Sequence, residues 1–70
     1  MKRQILIEKR GSRSQQEIAD ELQITQKHLS KIELGERNPS ITLLSQFCRL
    51  YKESAENLFP DIFLENNTTF

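Results

Sequence analysis

The sequence predicts an all-α fold of five short helices, and three observations carry that prediction. Two glycines and two prolines in 70 residues leave most of the chain free of helix breakers. Those that occur, Gly11, Gly35, Pro39 and Pro60, stand between apolar clusters. Ser14, Thr25, Ser40 and Ser54 each precede a stretch of helical character, where a hydroxyl satisfies otherwise orphaned backbone N–H groups.

The first helix is expected from about Lys2 to Arg10, stopped by Gly11. Its apolar residues, Ile5, Leu6 and Ile7, are consecutive and do not select a buried face. Ser14-Gln15-Gln16-Glu17 has the form of a capping box, and the helix it opens carries Ile18, Ala19 and Leu22 on one side. Glu21 to Ile24 reads as a tight turn. Thr25 caps a third helix running to about Glu33, and Gly35 takes the left-handed conformation that ends it. Asn38-Pro39-Ser40 is a loop closing on another cap. Ile41, Leu44, Phe47 or Cys48, and Tyr51 then follow helical spacing, with Cys48 as a small core residue. Ser54 caps a last short helix containing Leu58 and Phe59, which Pro60 closes. The domain is thus expected over residues 1–60. Residues 61–70 form a C-terminal tail, expected as a short strand, an arm on a partner subunit or a frayed end: Asp61-Ile62-Phe63-Leu64 is too apolar for a free end, and Asn66-Asn67-Thr68-Thr69 is not helix-forming.

Composition excludes several classes of function. One Cys and one His provide neither a disulfide nor a tetrahedral metal cluster, so no metal and no cofactor is expected. No paired carboxylates, Ser/His/Asp set or glycine loop suggests an enzyme. Ile5-Leu6-Ile7 is too short for a signal or a membrane span, so a cytoplasmic protein with no membrane partner is expected. A chain this small has a thin stability margin, to be made up by compact helix packing, by oligomerisation or by both. Ten basic and ten acidic residues cancel, but residues 1–37 hold eight cations against six anions, and residues 38–70 two against four. That asymmetry permits a basic face.

The third helix carries the functional signal. At about 100° per residue, Lys27 and Lys31 fall opposite Leu29 and Ile32. Gln26 and Ser30 flank the two lysines, His28 lies on the other edge, and no carboxylate shares the stripe. Lys27 and Lys31 repel at i, i+4 by a few tenths of a kcal/mol, so phosphates or guanine edges are the natural counter-charge. The second helix suits a supporting role. Ala19 admits a close neighbour, and Gln15 and Gln16 present amides beside backbone N–H groups that a phosphate can meet.

Ser14-Gln15-Gln16-Glu17-Ile18-Ala19-Asp20-Glu21-Leu22, followed by Ile24-Thr25-Gln26-Lys27-His28-Leu29-Ser30-Lys31-Ile32-Glu33-Leu34-Gly35-Glu36-Arg37-Asn38-Pro39-Ser40, resembles the Cro/C1-type (XRE) helix-turn-helix family. The similarity continues through Leu43-Leu44 to Ser54-Ala55-Glu56-Asn57-Leu58-Phe59. The resemblance implies a five-helix lambda-repressor-like domain, a bacterial or phage regulator, and a homodimer on a pseudo-palindromic operator in double-stranded DNA. Carried over by position, Gln26, Lys27 and Lys31 match base-reading places in the major groove, with Ser30 beside them. Gln15, Thr25, His28, Arg37 and Asn38 match or adjoin backbone-contacting places. Phe59, Ile62 and Phe63 are expected dimer contacts. Glu33 matches a glutamate that pairs with a helix-one arginine, here Arg10 or Arg13. Gln23 stands where the family turn usually has Gly, which calls for a non-Gly left-handed residue or a different turn; Lys52-Glu53 replaces a common Gly-Val. A repressor is the function these features imply. The alternative is a protein-interaction module on the same scaffold, an antitoxin or anti-repressor docking through Ile62-Phe63-Leu64.

Overall fold

The computed structural model describes residues 2–67. They form α1 (Gln4–Arg10), α2 (Gln15–Leu22), α3 (Gln26–Glu33), α4 (Ile41–Tyr51), α5 (Ala55–Leu58) and α6 (Pro60–Asn67), and no strand occurs among the described residues. All four expected hydroxyl caps form. Ser14 accepts from the Glu17 N–H, Thr25 from His28, Ser40 from Leu43 and Ser54 from Asn57.

The core gathers one or more residues from each of α1 to α5. Leu6, Ile18, Leu29, Ile32, Phe47 and Leu58 are fully buried, as is Phe59 just beyond α5. Burying each large apolar side chain is worth about 1.5–3 kcal/mol. Phe47 is the hub. Its ring meets Phe59 edge-on at 5.5 Å and leans on Tyr51 at 6.0 Å. Ala19, also fully buried, provides the small surface where α2 and α3 pack.

Four details differ from the sequence reading. Helix α1 starts at Gln4, because Arg3 turns inward as its N-cap, and Leu6 marks its buried face. In α4 the buried ridge is Leu43, Phe47 and Tyr51, while Ile41 is 86% exposed and Leu44 and Cys48 are half-buried. The apolar arc of α4 is wider than one face; Ile41 lies about 160° round the helix from Leu43, and packing chooses the Leu43 side.

The third difference is the described part of the tail, residues 61–67, which is helical where a short strand was one expectation. Pro60 opens α6 rather than closing α5. At the first helical position its missing N–H costs nothing and its fixed φ suits the helix. Asp61 follows in the first turn, where a carboxylate complements the helix dipole. Ile62 and Phe63 donate their backbone N–H groups to the Phe59 carbonyl and half-bury their side chains against the core. Thr68, Thr69 and Phe70, the end of the expected tail, lie outside the described residues, as does the side chain of Leu64. Finally, Phe59 has no exposed surface left for a partner, so its expected place in a dimer contact gives way to one in the core.

Candidate nucleic-acid interface

Helices α2 and α3 meet through a turn that the backbone fixes tightly. The Gln23 and Ile24 N–H groups donate to Asp20 and Ala19 at 3.2 and 3.0 Å, the paired bonds of a Schellman motif. Its left-handed position is occupied by Gln23 at φ 59°, a conformation costing a non-Gly residue about 1 kcal/mol. The turn therefore closes in the left-handed conformation without a glycine.

Leu29 and Ile32 anchor α3 inward with no exposed surface. Gln26 and Lys27 are consequently exposed, while His28, Ser30 and Lys31 are half-buried along the outer side. Among the described residues neither Lys27 nor Lys31 has an ion-pair partner. Arg37 and Asn38 sit exposed in the loop between α3 and α4.

Beneath this surface lies a relay of polar side chains. The Glu33 side chain is only 2% exposed, yet it accepts from Arg10 Nε at 3.0 Å and Arg10 Nη2 at 3.2 Å. The same carboxylate accepts from Gln15 Nε2 at 2.9 Å, and Gln15 Oε1 accepts from Gln26 Nε2 at 2.9 Å. An ionised carboxylate only accepts, so Gln15 must turn its N–H₂ towards Glu33 and its oxygen towards Gln26. Gln26 then has to donate, leaving its own oxygen and a second amide N–H outward. One carboxylate thus sets the orientation of two amides. Arg10, not Arg13, is the partner of Glu33. Arg13 reaches Glu21 at 3.9 Å on the surface, where an ion pair contributes about 0–1 kcal/mol.

Next to this relay, burial pushes the Tyr51 phenol up to about 12, the Glu33 carboxylate adding to the effect. Its buried hydroxyl has no hydrogen-bond partner among the described residues.

Arg3 and Asp61 are the pair that the sequence reading missed. Arg3 Nε and Nη2 donate to the Asp61 carboxylate at 3.1 and 2.9 Å, and Nη1 donates to the Ile32 and Arg37 carbonyls, both at 2.8 Å. Nη2 also donates to Asn38 Oδ1 at 2.6 Å, and the guanidinium lies 5.1 Å from the Phe59 ring centre. The guanidinium hydrogen bonds hold the Asp61 carboxyl below its ordinary range. A signal did exist. A cation at the N-terminus of a helix opposes the dipole, so Arg3 belonged there only if its charge was used elsewhere.

The structure thus brings Gln15, Gln26 and the α3 stripe to one surface, with Thr25 capping α3. Among the described residues no helix is long and apolar enough to cross a membrane, and no group of three or more His, Cys, Asp or Glu is placed to hold a metal ion. A helix-turn-helix family model matches residues 6–58, more than half of the chain. Neither the curated proteins nor the solved structures compared with the chain gave a match.

Proposed function

We propose that this chain, which belongs to the Cro/C1-type (XRE) helix-turn-helix family of DNA-binding regulators, is a cytoplasmic, nucleoid-associated repressor that reads a pseudo-palindromic operator as a homodimer. The observation that carries the reading is the Glu33–Gln15–Gln26 relay. It leaves Gln26 with one acceptor and one donor outward, the pair that adenine N6–H₂ and N7 require in the major groove. Lys27 and Lys31, without ion-pair partners among the described residues, supply charge for guanine edges or phosphates, and Ser30 lies between them and the helix flank. Thr25, His28, Gln15, Arg37 and Asn38 serve in this reading as backbone contacts, which position the helix without reading sequence. The half-exposed Ile62 and Phe63 of α6 are the remaining dimer contacts. Two-fold symmetry then sets half-sites about one helical turn apart.

Selection from a random duplex library at moderate salt, read by sequencing, tests this. A palindrome with half-sites about one turn apart is the expected outcome. No enrichment from folded protein, even at low salt, refutes it and favours the protein-interaction scaffold. On the selected duplex, Lys31→Ala is expected to cost about 1–3 kcal/mol with relaxed specificity at one position. A uniform loss with a shallower salt dependence makes Lys31 a phosphate contact instead.

A further inference from the structure

Arg3 contacts three parts of the chain that are distant in sequence. Its guanidinium has five N–H donors, and they are shared among Asp61 in α6, the Ile32 carbonyl at the end of α3, and the Arg37 carbonyl and Asn38 side chain in the following loop. Its own backbone N–H donates to the Glu33 carbonyl at 2.7 Å. The residue is only 4% exposed. Buried so, the guanidinium must keep these acceptors, because a buried cation without its counter-charge is strongly disfavoured. Among the described residues, the hydrogen bonds made to Arg37 and Asn38 both come from Arg3. Because Asn38 Oδ1 accepts from Arg3, its amide N–H₂ faces the other way, free to donate.

We propose that Arg3 is the positioning residue of the α3–α4 loop, and that it makes the loop's grip on the DNA backbone depend on docking of α6. Asp61 holds the guanidinium, and the guanidinium holds Arg37 and Asn38. Release of α6 removes the counter-charge, Arg3 turns towards water, and the loop loses both tethers. The C-terminal helix and the DNA surface, which share no residue, are then coupled through one side chain. This rests on the reading of Arg37 and Asn38 as backbone contacts.

The test is a double-mutant cycle on the selected duplex, using Arg3→Lys, Asp61→Asn, Arg37→Ala and Asn38→Ala, with affinity measured against salt and folding checked by thermal melts. Arg3→Lys keeps a cation beside Asp61 and Phe59 but cannot reach the loop acceptors together, so it remains informative if Asp61→Asn unfolds. Arg3→Lys and Asp61→Asn are each expected to weaken binding roughly tenfold, the scale of coupling within one hydrogen-bond network, and to reduce the salt slope by about one phosphate contact. In the Arg37→Ala, Asn38→Ala background that loss should largely vanish. A lower melting temperature alone would leave the slope of the folded protein unchanged. Unchanged affinity and slope in folded Arg3→Lys overturn the inference, as does a loss that simply multiplies with the loop variants. If Arg37→Ala and Asn38→Ala themselves leave affinity intact, the backbone-contact reading fails instead, and the coupling with it.

Discussion

Replacing Glu33 by Leu, alone and together with Arg10→Met, separates what the buried ion pair does for stability from what it does for recognition. In the single variant Arg10 keeps its charge without the carboxylate, retaining only its bond to the Arg13 carbonyl, and Gln15 Nε2 loses its acceptor. Removing one member of a buried pair costs about 3–5 kcal/mol. Arg10 is 18% exposed against 2% for Glu33 and can turn partly to water, which points to the lower end, about 3 kcal/mol. In a domain of this size that lowers Tm by about 12–24 °C. In the double variant no charge is stranded, and apolar replacements of such pairs are often neutral or stabilising, so Tm should return near the parent value. Recognition should not return with it. Without the carboxylate both glutamine amides are free to flip, and discrimination at the base facing Gln26 should fall by about 1–3 kcal/mol. Urea melts and competition binding with a duplex changed at that one base read the two effects separately. A double variant that keeps full discrimination sinks the relay argument. A single variant losing under about 1 kcal/mol sinks the assignment of a buried, structural ion pair.

Gln23→Gly should raise the unfolding free energy by up to about 1 kcal/mol, read as a higher urea midpoint at constant m, since it relieves the left-handed strain; a loss would mean that the side chain holds the turn. Tyr51→Phe should be neutral or stabilising by about 1 kcal/mol, because the buried hydroxyl is unpartnered among the described residues; clear destabilisation in the same melts would reveal a partner such as a buried water. Above pH 10 the parent should lose stability as Tyr51 ionises more readily unfolded than folded, up to about pH 12, and the Phe variant should lose less. At the acid end the sign reverses. Asp61 is depressed by Arg3, so its contribution is complete above about pH 4 and fades as pH falls through the lower folded value, and Asp61→Asn should flatten that limb of a pH–Tm profile.

Helix caps were legible because they are local: a hydroxyl three residues before an amide is a sequence pattern, and every one expected was formed. The same holds for Leu29 and Ile32, whose spacing fixes the inner side of α3 and therefore its outer stripe. Gln23 was legible in part: the resemblance offered a left-handed residue or a different turn there, and the backbone takes the first. Legibility ended where partners are remote. Nothing near Gln15 or Gln26 announces that they bond to one another, or that Gln15 also reaches a carboxylate 18 residues on. The broad apolar arc of α4 supported two faces, and tertiary packing settled on Leu43. Phe59-Pro60-Asp61 read as an ending because Pro stops helices, although Pro followed by an acid is equally a helix start.

The Arg3–Asp61 clasp also has a place in time. Its partners are 58 residues apart, whereas the Gln15–Gln26 bond spans 11, so closing its loop costs about 1.5 kcal/mol more in chain entropy. Contacts of long span form late in folding, after the local helix pairs are in place. The clasp should therefore be absent from the transition state: weakening it accelerates unfolding and leaves the folding rate almost untouched. A protein with this arrangement opens first at the Arg3–Asp61 clasp, with the pairing of α2 and α3 among the last structure to dissolve.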